Sequence, residues 1–274
     1  MRRREYPGCR WKEIMQFVKP ERAIAVRALF IVGLLVAVLA SIDDLAVTDH
    51  SLTRNDLWFV INKLCVPAER YSLPSPCSMV VHDAHFESGY VILSVSKGHL
   101  VISPTQHISG IESHELWSSK ARNYWQAAWL ARERIDRNFL KTFDRSDIAL
   151  AVNSIKGRSQ DQFHIHTACV RPDVNAALAE ESPEINQRWR LMRKQFRGAA
   201  YSVRWLAAAT LEDVDVLNVF DPDIRQNDAE MGRQTLVLVG GWKDGKAGFF
   251  VLNAQTTGDR IAHGEWLLDD TCQT

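Results

Sequence analysis

The sequence predicts an α+β domain with a mostly antiparallel sheet, preceded by an N-terminal membrane anchor. Three observations lead to this prediction: paired β-rich runs across turn signals, one long amphipathic helix between such runs, and a basic segment before an apolar run. With 274 residues, the chain is long enough to bury a substantial core. Its formal net charge of zero argues against a dedicated nucleic-acid binder.

The first 43 residues have the order of a membrane anchor. Residues 1–22 are rich in arginine and lysine, and residues 23–43 are almost entirely apolar. This order is typical of an export signal or an uncleaved anchor, and the apolar stretch reaches spanning length if the Arg27 side chain extends toward the headgroups. A cleavage site at Val38-Leu39-Ala40 and a buried core helix are the alternatives. We predict a transmembrane anchor that leaves residues 1–22 in the cytoplasm and exports the chain after it.

Four cysteines follow the predicted anchor, on the side where exported proteins can keep disulfides. Four cysteines allow three pairings. Because Cys65 and Cys77 bracket a short loop with three prolines, we predict that these two pair and that Cys169 pairs with Cys272. Four free or buried thiols are the alternative, and a zinc site is disfavoured because the sequence has no C-x-x-C spacing.

The elements of the exported region can be assigned in order. Residues 44–55 are polar and indicate a linker, after which residues 56–274 form the predicted domain. Apolar residues at helical spacing predict a helix over 56–65. Tyr90–Val95 and His99–Ile102 are β-rich runs on either side of a Ser-Lys-Gly turn, so we predict a hairpin.

The clearest helix of the sequence is predicted for Asn123–Leu140. Its apolar residues, including Trp125 and Trp129, recur three or four positions apart and mark a buried stripe. The two tryptophans could stack on a ligand base, but we favour core packing. A strand over Ile148–Val152 and a turn over Asn153–Gln160 follow.

The second half of the domain continues with strands and one further helix. A strand is predicted for Gln162–Val170, and a helix begins at Pro172, where proline suits the first turn. Gln234–Gly240 and Phe249–Asn253 flank the turn signal Asp244-Gly245, which predicts another hairpin.

The predicted strand over 162–170 separates polar from apolar side chains. Because alternate residues of a strand share a face, Gln162, His164 and His166 point one way. Phe163 and Ile165 point the other way and should be buried. The polar face should therefore line a cleft or meet water.

The two histidines of this strand allow three interpretations. A metal pair needs a third protein ligand for catalysis, and no H-E-x-x-H motif supplies one. The histidines could also be structural, with hydrogen bonds to backbone groups. In the third interpretation one imidazole is a nucleophile toward phosphorus, which requires a neighbour that fixes its tautomer and donors for the phosphate oxygens. The turn 156–160 just upstream offers two cations and backbone N–H groups for that purpose.

The polar face resembles the signature of the histidine-triad (HIT) superfamily, in which three histidines alternate with apolar residues. Gln162 stands at the first of the three positions, and His164 and His166 fill the other two. The stretch 99–107 is similar to the superfamily's earlier strand, which ends in a proline and a basic or histidine-containing turn. The resemblance implies a HIT-like antiparallel sheet with a long packed helix over residues 56–274.

Within that superfamily, the sequence resembles the membrane-anchored CDP-diacylglycerol pyrophosphatases. The two most specific matching motifs are FHIH at 163–166 and CVRPDV at 169–174. The other matching pieces are the N-terminal anchor, the loop 74–77, the stretches 108–113 and 151–154, and Cys272.

This resemblance implies a mechanism. His164, at the middle position of the triad, is the implied nucleophile; it attacks the phosphorus that bears cytidine, releases phosphatidate and forms a cytidylyl-histidine that water resolves to CMP. His166 is implied to orient the site or stabilise phosphate oxygens. Gln162 can exchange hydrogen bonds there, but it cannot carry charge or shuttle a proton near neutral pH.

Phosphate contact is predicted for three residues around the turn before the histidine strand: Asn153, Lys156 and Ser159. The leaving group is a phosphomonoester with a second pKa of about 6, so it needs little protonation at departure. No metal or other cofactor is therefore predicted.

The resemblance also implies a cellular context. It implies CDP-diacylglycerol as the lipid-linked partner, a role in phospholipid metabolism, and a single-pass location in a bacterial inner membrane with the catalytic domain on the periplasmic side. Two alternatives stay open: a hydrolase of other nucleotide anhydrides, and a non-catalytic nucleotide- or lipid-binding protein on the same fold.

Overall fold

One large antiparallel sheet organises the protein. The computed structural model describes residues 53–82, 88–117 and 122–273. The strands in chain order are β1 (Met79–Val81), β2 (Tyr90–Ser96), β3 (His99–Pro104), β4 (Ile148–Val152), β5 (Ile165–Val170), β6 (Arg190–Leu191), β7 (Ser202–Leu206), β8 (Gln234–Lys243), β9 (Lys246–Gln255) and β10 (Leu268–Asp269). Their spatial order is β1-β2-β3-β5-β4-β8-β9-β7-β6, and β10 pairs with β5. The pairings between these strands are antiparallel, so the predicted α+β class is confirmed.

The helices are fewer and mostly short. They are α1 (Asp56–Phe59), a π-helical stretch (Val60–Cys65) that continues it, α2 (Val66–Glu69), α3 (Tyr124–Phe139), α4 (Pro172–Glu181), α5 (Pro222–Arg225) and α6 (Asp228–Met231). Single 3-10 turns span His114–Trp117, Arg145–Asp147, Val216–Val219 and Gly264–Leu267. The helix predicted over 56–65 is thus present, although its second half has π geometry.

The long helix α3 lies where the sequence predicts it. The Asn123 side chain caps its first turn by accepting from the backbone N–H of Gln126 at 2.9 Å. Leu140 ends the helix in a left-handed conformation, with φ of 53°. Trp125 and Trp129 are 6% and 3% exposed within the main core, which confirms the core-packing interpretation for both.

Both predicted hairpins are present. β2 and β3 pair directly, and β8 and β9 form a longer hairpin than the sequence indicates. The turn residues Asp244 and Gly245 have positive φ values of 51° and 71°. Two consecutive residues of positive φ match the twist of the flanking strands, which is why an Asp-Gly pair occupies this turn.

The histidine strand begins later than predicted. β5 starts at Ile165 and not at Gln162. The reason lies in the backbone of Phe163: its N–H donates to the carbonyl of Ile108 at 2.5 Å, and its carbonyl accepts from the Ser103 hydroxyl at 2.7 Å. These partners satisfy Phe163 outside the strand ladder, so the chain enters the sheet only after His164.

The sheet separates two hydrophobic cores, and the predicted alternation of side chains holds. Phe163, Ile165 and Cys169 join the core under α3. Val170 joins the second core, on the side of α4. The histidine side chains therefore lie on the α4 side of the sheet.

Two disulfides connect the cysteines as predicted. Cys65 bonds to Cys77, and Cys169 on β5 bonds to Cys272 near the C-terminus. The second bond, with the pairing of β10 to β5, fixes the C-terminal segment beside the histidine strand.

The predicted anchor at residues 23–43 lies outside the described residues, as does most of the linker at 44–55. Within the ranges given above, none of the helices is long and apolar enough to cross a membrane.

Candidate functional site

One ring nitrogen of His164, Nδ1, forms a hydrogen bond with the backbone, and the other, Nε2, does not. Its Nδ1 lies 2.6 Å from the backbone carbonyl oxygen of Gln162. A carbonyl oxygen can only accept, so Nδ1 carries the proton and Nε2 keeps its lone pair. Burial, together with the nearby His166, lowers the pKa of His164 to about 4. The ring is therefore a neutral imidazole near pH 7, which can act as a nucleophile or a base.

His166 lies between a second histidine and a carboxylate. Its Nδ1 is 2.9 Å from Nε2 of His99, and its Nε2 is 2.9 Å from Oε1 of Glu265. The contact with Glu265 is close, but it is not aligned as a straight hydrogen bond. The ring of His166 is also edge-on to that of His164, with 4.9 Å between centroids.

The register of the sheet explains why His99 reaches this position. Val101 of β3 lies directly opposite His166, and His99 lies opposite Ala168. His99 is thus a diagonal neighbour of His166 on the same face. Burial lowers the pKa of His99 to about 4, with a further contribution from His166. His99 is therefore neutral near pH 7.

Glu265 is held in place by Asn153. The amide nitrogen of Asn153 donates to Oε2 of Glu265 at 2.6 Å, and its oxygen accepts from the backbone N–H of Gly264 at 2.6 Å. A Cβ at Gly264 would lie 2.7 Å from that of Ala151, so this position requires glycine. Burial alone would raise the pKa of Glu265, but His166 and Asn153 hold it well below its usual range. Glu265 is consequently an ionised carboxylate facing His166.

These groups form a chain and do not converge on one point. His99, His166 and Glu265 each face the next group in line. Across the described part of the protein, no group of three or more His, Cys, Asp or Glu side chains is arranged to hold a metal ion.

The Gln162 side chain is completely buried and ties down a loop. Its Nε2 donates to the carbonyl oxygens of Pro104 and Gln106 at 3.1 Å and 2.9 Å. Its Oε1 accepts a long bond from the backbone N–H of Ile108 at 3.4 Å. The sequence places Gln162 on an open polar face, whereas the structure uses its amide to fix residues 104–108 next to His164.

Arg158 is buried beside the same site, and carboxylates neutralise its charge. Its guanidinium makes two bonds to Glu112, at 2.8 Å and 2.9 Å, and its Nε donates to Asp161 at 2.9 Å. Gly110 makes room for it, because a Cβ there would overlap the Arg158 Nη1 atom. Arg158 and His164 line one small cavity together.

The three residues predicted for phosphate contact fall in different surroundings. Asn153 is buried, lines the cavity with His164 and is committed to Glu265 and Gly264. Lys156 and Ser159 are exposed on the turn that precedes the site, and the Lys156 ammonium donates to the Gly258 carbonyl at 3.1 Å. The structure therefore brings Asn153 to the histidines and leaves the other two at the surface.

Sequence reasoning missed the parts played by His99 and Glu265. Pairing β3 with β5 would have placed His99 beside His166, and the similarity of the stretch 99–107 to a strand next to the triad was the available signal. Glu265 lies in a segment without a motif, so only the folded structure places it near His166.

The comparisons with known proteins concern the same region. A family model described as CDP-diacylglycerol pyrophosphatase matches residues 52–274. A protein of Yersinia pestis named CDP-diacylglycerol pyrophosphatase is 34% identical over 224 residues, which cover 79% of this chain and 83% of that protein. The family match includes every residue of the site described above.

Proposed function

The chain belongs to the CDP-diacylglycerol pyrophosphatase family of hydrolases, and we propose that it hydrolyses the diphosphate of CDP-diacylglycerol through a cytidylyl intermediate on His164. One observation carries the choice of nucleophile: the Gln162 carbonyl holds the Nδ1 proton of His164, which leaves the Nε2 lone pair available. The low pKa of His164 supports the same choice, because the ring needs no deprotonation before attack.

The first step transfers the cytidylyl group to the enzyme. The Nε2 lone pair of His164 forms a bond to the phosphorus that bears cytidine, and the bond from this phosphorus to the bridging oxygen breaks. The bridging oxygen leaves with the electron pair as part of phosphatidate. The ring becomes positively charged, and the Gln162 carbonyl stabilises its Nδ1–H. A phosphomonoester has a second pKa of about 6, so this leaving group departs without obligatory acid assistance.

The second step returns the enzyme to its starting state. Water attacks the same phosphorus, loses a proton to solvent, and the N–P bond breaks. CMP leaves, and the Nε2 lone pair of His164 is restored while Nδ1 keeps its proton. The cycle uses one water molecule and no redox chemistry.

The groups around His164 have supporting roles in this proposal. The Glu265 carboxylate lies 2.9 Å from Nε2 of His166 and holds that ring beside His164, next to the phosphate that His164 attacks. Lys156 and Ser159, exposed on the preceding turn, are our candidates for contact with phosphate oxygens. Asn153 fixes the start of that turn through its bonds to the Glu265 carboxylate and to the Gly264 backbone N–H.

The replacement of the first triad histidine is compatible with catalysis. Gln162 contributes its backbone carbonyl to His164, and any residue could supply that atom. Its side chain serves the 104–108 loop. Because the backbone of Gln162 orients His164 while its side chain bonds to the loop, the replacement leaves the proposed nucleophile in place. This favours an enzyme over a non-catalytic binding protein, and it supports a HIT-like arrangement of the strand.

The disulfides support an exported location. Cys65–Cys77 and Cys169–Cys272 suit an oxidising compartment, such as the periplasm, better than the cytoplasm. We propose a single-pass anchor at 23–43 in a bacterial inner membrane, with the domain on the periplasmic side.

Covalent trapping tests the proposed nucleophile. The protein is mixed briefly with CDP-diacylglycerol labelled in the cytidine-linked phosphate and quenched in alkaline detergent, which preserves phosphoramidates. We expect the label on the peptide that contains His164, and none on a His164→Ala variant. His114→Ala is the matched control, because His114 is an exposed surface histidine paired with Asp228. Label in His164→Ala, or hydrolysis at the wild-type rate by that variant, would refute the assignment.

A further inference from the structure

Exposed large apolar side chains are concentrated in one short stretch of the described chain. Phe59, Leu64, Tyr71, Leu73 and Met79 are all exposed, and Tyr71 and Leu73 reach 73% and 70%. We propose that the loop closed by Cys65 and Cys77 is a docking surface for the lipid bilayer. We call residues 66–76 the disulfide loop.

The disulfide loop is held on a rigid base. Cys65 and Cys77 are buried with Ile61 and Val91 in a small core of their own. The helical turns from Asp56 to Cys65 lead into the loop, the short helix Val66–Glu69 forms its first part, and the disulfide closes it. Tyr71 and Leu73 therefore point outward from a fixed support. Neither side chain belongs to the hydrophobic cores of the described residues.

The chemistry of the loop tip fits a membrane interface. Tyrosine combines an apolar ring with a polar tip and is enriched at the headgroup level. The Arg70 guanidinium lies 5.9 Å from the Tyr71 ring centroid, and its Nε donates to the Pro67 carbonyl at 3.0 Å. Exposed Lys63 adds a second cation on the helical entry. Cations beside apolar side chains suit an anionic bilayer, where the charged ends reach phosphates while the rings enter the interface.

The same segment is fastened to the active site. The backbone N–H of Leu57 donates to Oε1 of Gln160 at 2.7 Å. Arg54 makes two bonds of 2.6 Å to Asp161, three residues before His164. A docked loop would therefore carry the site to the bilayer surface, where the diphosphate of a lipid-linked nucleotide lies; this consequence rests on the proposed function.

The chain between the predicted anchor and the described residues is short. Asp43 and Thr53 are ten residues apart in the sequence. Ten residues span at most about 35 Å even when fully extended. An anchor at 23–43 would keep Thr53 within that distance of the bilayer, and a second, reversible contact would then fix the orientation of the domain.

Spin labelling of the full-length protein tests the docking surface directly. Cys9→Ser removes the cysteine that is outside the two disulfides. A nitroxide is then placed by Leu73→Cys, with Leu191→Cys as the matched control because Leu191 is 64% exposed on strand β6. Both proteins are reconstituted in vesicles of phosphatidylethanolamine and phosphatidylglycerol. We would measure how often the nitroxide collides with oxygen, which partitions into lipid, and with a water-soluble nickel chelate.

We expect the label at position 73 to collide more often with oxygen and less often with the chelate than the label at position 191. Equal, aqueous values at both positions would overturn the proposal. A label at 73 that is immobilised and shielded from both reagents would indicate a protein partner or a second copy of the chain, and would overturn it equally. None of these outcomes depends on catalytic activity.

A kinetic comparison separates this inference from the proposed function. In Tyr71→Ser/Leu73→Ser, we expect hydrolysis of long-chain CDP-diacylglycerol in vesicles to fall several-fold at low surface concentration. Hydrolysis of a short-chain, water-soluble analogue should be unchanged. The control pair Leu140→Ser/Leu191→Ser should match wild type on both substrates. An equal loss on both substrates would contradict docking, whereas a wild-type protein inactive on both would contradict the function and leave the spin-label result standing.

Discussion

Oε1 of Glu265 lies 2.9 Å from Nε2 of His166, although the two residues come from a turn near the C-terminus and from β5. The other carboxylate oxygen accepts from Asn153 at 2.6 Å. The carboxylate thus links His166 of the histidine strand to Asn153 at the end of β4. We infer that Glu265 is a positioning residue that acts through His166.

Glu265→Gln should lower kcat by about 10- to 100-fold with little change in KM, by analogy with the cost of losing a carboxylate that orients a metal-ligating histidine. Glutamine keeps the shape and can accept from Asn153, but its neutral amide removes the carboxylate charge 2.9 Å from His166. Steady-state CMP release measures this change, and thermal unfolding should show an intact fold. Glu230→Gln is the control, because Glu230 is partly exposed and paired with Arg233. An unchanged kcat in Glu265→Gln would exclude the positioning role.

The pH dependence of kcat/KM should reveal the buried state of His164. The pH dependence of kcat/KM reports the pKa values of groups in the free enzyme, and the proposed attack requires the neutral ring of His164. Burial lowers the pKa of His164 to about 4, so the rate should rise with pH through that value and lose its dependence on this group above about pH 5. Initial rates between pH 4 and 8 measure the profile. An acid limb near pH 6.5, the ordinary value for histidine, would contradict a neutral buried nucleophile.

Folding stability should fall as the pH drops from about 6.5 toward 4. His99 and His164 both have pKa values near 4 in the folded protein, so in this window the unfolded chain binds more protons. Protons therefore favour unfolding, and the stability contributed by the two neutral rings is lost as the pH decreases. Glu265, whose pKa is also lowered, acts in the same direction at still lower pH.

Urea unfolding at pH 7.5, 5.5 and 4.5 measures this trend. His99→Gln should reduce the pH dependence, because glutamine can still bond to His166 but does not titrate. His114→Gln, at an exposed surface histidine, should keep the wild-type dependence. A His99→Gln protein with the full wild-type slope would show that His99 is not the titrating group.

The parts of the fold that could be predicted from the sequence are those with strong local signals. α3 has an apolar stripe and an asparagine cap, and β8 and β9 flank an Asp-Gly turn. The short strands β1, β6 and β10 have only two or three residues each and depend on partners distant in sequence. No periodicity can develop over so short a segment, so such strands are visible only in the folded structure.

The same distinction applies to the site. Strand alternation was enough to place His164 and His166 on one face. The partner of His166 was not predictable, because Glu265 reaches it only through the tertiary placement of the C-terminal segment. Strand alternation predicts the Gln162 side chain on the open polar face, whereas its amide donates to backbone carbonyls of a neighbouring loop.

Gln162→Ala should destabilise the protein by about 1–3 kcal/mol, because it leaves the carbonyls of Pro104 and Gln106 without their buried donor. The shape of the pH–rate profile should stay unchanged, since the Gln162 backbone still holds His164. Chemical denaturation and initial rates measure the two effects. Gln234→Ala is a matched control at another buried glutamine, whose amide donates to the Glu230 carbonyl at 2.8 Å. A shifted pH profile in Gln162→Ala alone would indicate that the side chain takes part in proton transfer.

The Cys169–Cys272 disulfide should matter for activity as well as for stability. It closes a separation of 103 residues and holds the chain that leads from Glu265 through β10 against β5. Replacing both cysteines with alanine should cost about 2–5 kcal/mol of unfolding free energy. It should also lower kcat, because the carboxylate beside His166 loses its fixed support. The Cys65→Ala/Cys77→Ala protein is the comparison: its bridge spans only 12 residues and lies in a separate small core. With the water-soluble substrate analogue, we expect that protein to be less stable but to keep its kcat, and equal losses of kcat in both double variants would contradict a specific link between the C-terminal bridge and Glu265.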